Sequence, residues 1–271
     1  MNTHKTDFLT LIAISAFSFI LATALHEHGG HSLACVLLGA PLKELGAFYV
    51  DCDYTASSAF VIRMVALAGP LASLVAGILG MLVFRSAAKA GAQWKYFLWH
   101  FGTINLMVAA GYLLFSGVSG IGDFGTGESG VFYQAQSEWL YRACLTVLGL
   151  LGYLGVLRIS LTYFDTFIGG EGQERVRRAQ LLALTSYMAG GIVSVLIGLL
   201  NPYGLLIVLI SSIASSMGGT SGLAWMMQML NRKKVSRIAP FALTRSWLWI
   251  GGSLVFILMY AAVLGPTIIL K

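Results

Sequence analysis

The sequence predicts an all-α, polytopic integral membrane protein, a single membrane domain over residues 1–271 with six or seven transmembrane helices. Three observations predict it. Of 271 residues, 57% are hydrophobic and only 10% charged, where an ordinary soluble domain is about a quarter charged. Mean hydropathy is +0.80. The apolar residues are gathered into runs long enough to cross a hydrocarbon core, which takes about 20 residues in a helix. A soluble fold of this size has too little interior for so much apolar surface, and the same composition excludes disorder. Three cysteines with no CxxC pair exclude a disulfide-stapled secreted domain and argue against thiolate metal sites and redox chemistry.

The expected spans are 8–38, 58–84, 96–118, 139–164, 180–200, 203–229 and 247–270. Lys5, the apolar run 8–21 and Ala22-Thr23-Ala24 have the form of a cleavable signal peptide,. Apolar sequence resuming at 32–40 favours a longer membrane helix instead. The second span carries Arg63 near its outer end, expected to snorkel or to pair with Asp51 or Asp53,. Arg142 and Arg158 near the ends of the fourth span receive the same reading. Asn201-Pro202-Tyr203-Gly204 separates the fifth and sixth spans by a strong turn signal,. The sixth is expected to be broken or re-entrant, because Ser211-Ser212, Ser215-Ser216 and Gly218-Gly219-Thr220-Ser221-Gly222 interrupt it. Seven spans are favoured over six. Trp94, Trp99, Trp247 and Trp249 read as interfacial anchors,, and the stretch 165–178 as a solvated connection.

Basic residues accumulate in cytoplasmic loops. Arg85, Lys89 and Lys95 flank one loop; Arg175, Arg177 and Arg178 lie in a second; Arg232, Lys233, Lys234, Arg237 and Arg245 lie in a third. The alternate loops hold Lys43, Glu44, Asp51 and Asp53, then Asp123, Glu128 and Glu138, then Asn201. This alternation places the N-terminus inside and, with seven spans, Lys271 outside. The formal charge of +6 therefore reflects membrane-flanking loops in contact with a lipid bilayer, and no nucleic-acid motif competes.

The chemistry-bearing residues are His26, Glu27, His28 and His31, four ionisable side chains within six residues of an apolar run. Such a cluster is costly in hydrocarbon and marks a functional site. In an H-E-x-x-H helix two histidines at i and i+4 hold zinc, and the glutamate acts as general base. Here His26 and His31 are five apart, which on a regular α-helix separates them by about 140°. A π-bulge eased by Gly29-Gly30 would return them to one face, with His28 as the inserted residue. Alternatively His28 and His31, at i and i+3, are the pair. A catalytic zinc site takes three protein ligands. By the charge reading Asp123 is the expected third, on the same non-cytoplasmic side, with Asp51, Asp53 and Glu128 in reserve; His100 falls at the opposite end. Asn105 and Tyr112 are possible supports from the third span.

On these residues the sequence resembles the site-2 protease family of intramembrane zinc metalloproteases. Ala24-Leu25-His26-Glu27-His28-Gly29-Gly30-His31 looks like that family's H-E-x-G-H helix with one additional residue. Ala66-Leu67-Ala68-Gly69-Pro70-Leu71-Ala72-Ser73 looks like its A-G-P-x-x-N segment, with serine for asparagine. Asn105, followed by Gly122-Asp123, is similar to its third core helix and ligand aspartate. The resemblance covers about residues 10–130 and implies a three-helix metalloprotease core over about 8–130, with 139–271 adding helices of unassigned role. It implies a zinc metalloendopeptidase that hydrolyses peptide bonds of a transmembrane protein substrate, with His26, His31 and Asp123 as ligands and Glu27 as general base. The other class of reading is a non-proteolytic membrane protein, either a metal-ion carrier or an inactive scaffold. Gly219-Thr220-Ser221-Gly222 echoes a rhomboid serine-protease motif, but no histidine follows position 100, and close helix packing is the reading kept.

Overall fold

The computed structural model describes residues 6–87, 90–204, 208–230 and 238–270. Lys5, Lys89, Arg232, Lys233, Lys234, Arg237 and Lys271, used above, lie outside the described residues. The chain is an all-α polytopic membrane protein. Among the described residues six helices are long and apolar enough to cross a membrane: Phe8–Leu38, Ala59–Ser86, Ala92–Ser119, Glu138–Asp165, Gly172–Gly198 and Trp247–Leu264.

The first of these is composite: α1 (Phe8–Ala24), a π-helical turn over Leu25–Ser32, and α2 (Leu33–Leu38). Asp7 caps α1 by accepting from the Thr10 backbone N–H at 2.9 Å, a bond of about 1 kcal/mol at such a position. A hairpin follows, β1 (Leu42–Leu45) antiparallel to β2 (Val50–Cys52). Next come α3 (Ala59–Ser86), α4 (Ala92–Ser119), α5 (Glu138–Asp165) and α6 (Gly172–Gly198). A second π-helical segment spans Val208–Gly218, then a short α7 (Gly222–Trp225), α8 (Trp247–Leu264) and β3 (Ile268–Ile269), which pairs with β1 to complete the sheet.

Hydrogen bonds between distant residues define the two ends of the bundle. At one end Asp7 N–H donates to the Leu243 carbonyl, Phe241 N–H to Ile168, and Gln93 to Thr244. At the other, Leu270 N–H donates to the Lys43 carbonyl, Tyr203 hydroxyl to Glu44 and Tyr260 hydroxyl to the Ala47 carbonyl. The first five long helices, from the composite α1–α2 to α6, alternate between these ends, and α6 finishes near Tyr203, at the β-sheet end. Yet α8 starts at the Asp7 end, where the Ser246 N–H donates to Thr10. Of the chain between α6 and α8, the described part holds the second π-helical segment and α7. Among the described residues six long helices cross the bundle.

The Asp7 end is a packed aromatic core. Trp99, Tyr96, Phe164, Phe167 and Ile168 are buried together, with the Trp99 and Phe164 rings 4.5 Å apart. Trp99 is thus a core residue rather than an anchor, its indole N–H donating to the Ser160 carbonyl; Trp94 and Trp247 are exposed. The stretch 165–178 is likewise no solvated connection, since Arg175 is fully buried in contact with Asp165. Around the bundle, leucines and valines of α3 and α8 such as Leu74, Leu79, Leu254 and Leu258 face outward, as lipid contact requires.

The structure also joins Cys35 to Cys52 in a disulfide, tying α2 to the hairpin. The cysteine count concealed this pair, because its partners sit on elements that only the fold brings together.

Candidate metal centre

The π-helical turn is where the histidine run acquires its geometry. Each π bond closes on the fifth residue back, as in the Leu33 N–H donating to the His28 carbonyl, and so each turn accommodates one extra residue. His26 and His31 consequently share a face, their rings 5.0 Å apart. His28 falls on a different face, bonded to Ser32 with its ring 6.3 Å from Tyr260. The alternative pair His28–His31 is not formed, because the inserted residue is turned away from the two that flank it.

Helix α3 passes directly over this turn. A Cβ on Gly30 would lie 2.6 Å from the Gly69 Cα, and one on Gly69 would lie 2.3 Å from His31 Nε2 and 2.8 Å from His26 Nε2. Glycine at both positions is what lets the helices meet with both ring nitrogens left uncovered. The same helix orients the rings from behind. The Val65 carbonyl is 2.8 Å from His31 Nδ1, and the Ser73 hydroxyl is 3.0 Å from His26 Nδ1. Ser73, which replaces the asparagine of the resembled motif, is fully buried.

Asp123 arrives from α4. The helix ends at Ser119, and Gly120 and Gly122 take φ of 81° and 86°, left-handed values that L side chains rarely adopt. The chain turns inward there. The Val131 N–H donates to the Asp123 carbonyl at 2.7 Å, and Arg142 secures the α4 terminus by donating to the Gly117 and Val118 carbonyls. Arg63 reaches the same loop, donating to the Tyr133 carbonyl at 2.8 Å, and not to Asp51 or Asp53 as expected. Asp53 pairs with Lys43 instead.

Asp123 Oδ2 then lies 3.1 Å from His26 Nε2 and 3.5 Å from His31 Nε2. One ligand-type atom from each of the three residues falls within 4.8 Å of the others. Among the described residues this is the one such group of three, and neither Asp51, Asp53, Glu128 nor His100 belongs to it. Burial alone would raise the Asp123 carboxyl; His31, then His26, outweigh it and hold the group below the usual carboxylate range.

The donor set fits a divalent metal. A carbonyl only accepts, so the Val65 contact places a hydrogen on His31 Nδ1 and, in the neutral ring, leaves the Nε2 lone pair facing the Asp123 oxygen. Two acceptors at 3.5 Å need a proton or a cation between them. Two imidazoles and a carboxylate, with the rings oriented through their other nitrogens, are ligands of the type that holds catalytic zinc.

Glu27 lies beside this group, itself buried. It lines a cavity of about 580 Å³ together with His31, Asp123, Val65, Tyr112 and Phe115. Phe48, Tyr49 and Tyr54 of the hairpin region roof that cavity, and Ala214, Ser215, Gly218, Gly219 and Ser221 form part of its wall. Sequence reasoning assigned no such role to residues beyond 139. The signal present was the run of small residues, whose packing reading is supported: a Cβ on Gly111 would lie 3.2 Å from the Gly219 Cα. Asn105 bonds within its own helix to the Phe101 carbonyl, whereas the Tyr112 ring stacks on His26. Comparison of the chain with protein-family models, with curated proteins and with solved structures found no match.

Proposed function

We propose that the chain is a zinc-dependent hydrolase that cuts peptide bonds of a transmembrane protein substrate inside the bilayer, as the resemblance to site-2 proteases implies. The observation that carries this reading is the convergence of His26, His31 and Asp123 on one point, with Glu27 beside it on the wall of a cavity of about 580 Å³. His26, His31 and Asp123 would hold the ion. Zinc bound there would supply Lewis acidity, polarising a carbonyl and lowering the pKa of a water molecule. Glu27 accepts the proton of the attacking water and returns it to the departing amine. The roof and wall leave room for a locally unwound peptide beside the polar cluster. Its flexible backbone carbonyl, and not a helical one, is free to reach the polar cluster.

A metal-carrier role has less support. A carrier needs further ligands along a path to the Asp7 end. Behind Glu27 the next void is only about 20 Å³, lined by Thr23, Ser216 and Thr220, room for about one water. His100, further on, is fully buried among aromatic rings. Orientation belongs to the same proposal: disulfides persist in oxidising compartments, so Cys35–Cys52 supports a non-cytoplasmic site. The N-terminus and the basic residues of the Asp7 end would then be cytoplasmic.

The test is cleavage of a single-span reporter helix, co-reconstituted with the purified protein in phospholipid vesicles. Wild type is expected to cut it in a chelator-sensitive way. Glu27→Gln should keep its zinc and lose about 100-fold or more in rate, the usual worth of a positioned base. A Glu27→Gln protein that cuts at the wild-type rate would refute the base assignment, and a zinc-free wild type would refute the hydrolase.

A further inference from the structure

The polar residues around the metal centre account for the ligands, their orientation and a base. Hydrolysis of an amide has one more requirement. As the water oxygen bonds to the carbonyl carbon, the π pair of the C=O bond moves onto the carbonyl oxygen, and a pre-organised hydrogen-bond donor stabilises that developing charge beyond what a metal supplies. The cavity offers several hydroxyls, and those of Tyr49 and Ser119 already donate within the fold. Tyr49 is shared between Glu44 and Thr267. Tyr153 accepts the Gly222 N–H. Ser119 donates to the Phe115 carbonyl. Tyr54 packs beside the Cys35–Cys52 bridge.

Tyr112 differs from these in lying against the His26 ring. It stands on α4, and its ring lies flat on the His26 imidazole with centroids 4.6 Å apart and planes inclined by 22°. It lines the large cavity with Glu27 and Asp123, and also the small void behind Glu27, so it separates the two. Among the described residues its hydroxyl has no hydrogen-bond partner, yet its oxygen is not among the sealed, unpartnered polar atoms of the interior. A phenol fixed by stacking on one ligand, with a spare O–H on the cavity that holds the base, is a donor held in reserve for something that enters.

We propose that Tyr112 is a catalytic residue whose O–H donates a hydrogen bond to the oxyanion formed on the scissile carbonyl; this rests on the hydrolase reading above. The balance is that of simple hydrolysis. Water adds to the carbonyl carbon, giving one proton to Glu27. The oxyanion pair, steadied by Tyr112, then re-forms C=O as the C–N bond breaks, and the Glu27 proton goes to the leaving nitrogen. Tyr112 keeps its own proton throughout. Stacking fixes the phenol without consuming its hydroxyl, which is what pre-organisation requires.

The test uses acetohydroxamate, whose oxygens mimic the charged intermediate, titrated calorimetrically into the full-length zinc-loaded protein in detergent. Tyr112→Phe keeps the stacked ring and removes only the hydroxyl. It should retain stoichiometric zinc, bind acetohydroxamate about 10-fold more weakly, the value of one lost hydrogen bond to a charged group, and lower kcat on the reporter helix with little change in KM. Replacement by 3-fluorotyrosine, which keeps the fold and strengthens the donor, should tighten acetohydroxamate binding. Equal affinity in wild type and both variants overturns the proposal while leaving the hydrolase intact. Loss of zinc from Tyr112→Phe also overturns it, making Tyr112 a positioning residue for His26. A wild type that holds no zinc overturns the underlying hydrolase reading itself.

Discussion

Two π-helical segments face the same cavity from opposite halves of the chain, and they use one backbone device for different ends. In the first, Leu25–Ser32, the widened turn brings His26 and His31 into line while turning His28 away. In the second, Val208–Gly218, the residues from Ser212 onward carry no ionisable group. The Gly219 N–H closes on the Ala214 carbonyl five residues back, and the turn presents Ala214, Ser215 and Gly218 to the cavity. Widening a helix gathers ligand-type side chains in the interior where the extra residue sits among histidines. Where it sits among small residues, it makes room. The residue types decide the outcome, since the backbone change is the same.

That contrast can be broken most directly at the three converging side chains. Alanine at His26, His31 or Asp123 should abolish zinc retention, an effect beyond the 10- to 100-fold typical of losing a ligand's supporting partner. Alanine at Ser215 or Ser221 should leave the metal content, measured by atomic emission on purified protein, unchanged. Zinc loss from the serine variants would mean that both segments feed the site.

The next effect is steric. Gly69→Ala puts a methyl group 2.3 Å from His31 Nε2, so it should expel zinc and cost about 1–3 kcal/mol of stability through overpacking, read by thermal unfolding in detergent. Normal zinc in that variant would show that α3 does not guard the ligand nitrogens. Smaller again, Ser73→Ala removes the group that orients His26 and should weaken zinc affinity about 10-fold in a competitive chelator titration, with no change of fold by circular dichroism.

The smallest expected effect lies at the far end of the bundle. The Thr10 N–H, then Arg245, holds the Asp7 carboxyl below its ordinary value of 3.8. A depressed carboxylate stabilises the fold above that value, and the contribution disappears as pH falls through the lower folded value. Asp7→Ala should therefore cost about 1 kcal/mol near neutrality, a gap that closes on acidification. Zinc content should not move. A gap that widens in acid would contradict the capping role.

Much of this was legible in the residues because hydrocarbon tolerates so little else. Apolar run length marks the six long helices, and the breakers in 203–229 mark the second π-helical segment. The five-residue spacing of His26 and His31 can reach one face only through a wider turn, and Gly29-Gly30 says where that turn is affordable. What stayed hidden depended on meetings between distant segments. Cys35 and Cys52 lie on separate elements, and Arg175 looks solvated until its burial beside Asp165 is seen. Arg63 had two nearby acids on paper, yet the loop carrying Asp123 brings the Tyr133 carbonyl closer. The far wall of the cavity is built from serine, alanine and glycine, whose pattern speaks of packing and is silent about which space the packing leaves.

The central claim is that two imidazoles and one carboxylate, gathered by a π-turn and a glycine-broken helix end, hold a single zinc ion. Zinc-edge X-ray absorption on the purified full-length protein tests it directly. The account predicts one zinc per chain with imidazole scattering at about 2.0–2.1 Å and oxygen at about 2.0–2.2 Å, and loss of the metal in Asp123→Ala. Sulfur scattering, or an unchanged spectrum in Asp123→Ala, would contradict it.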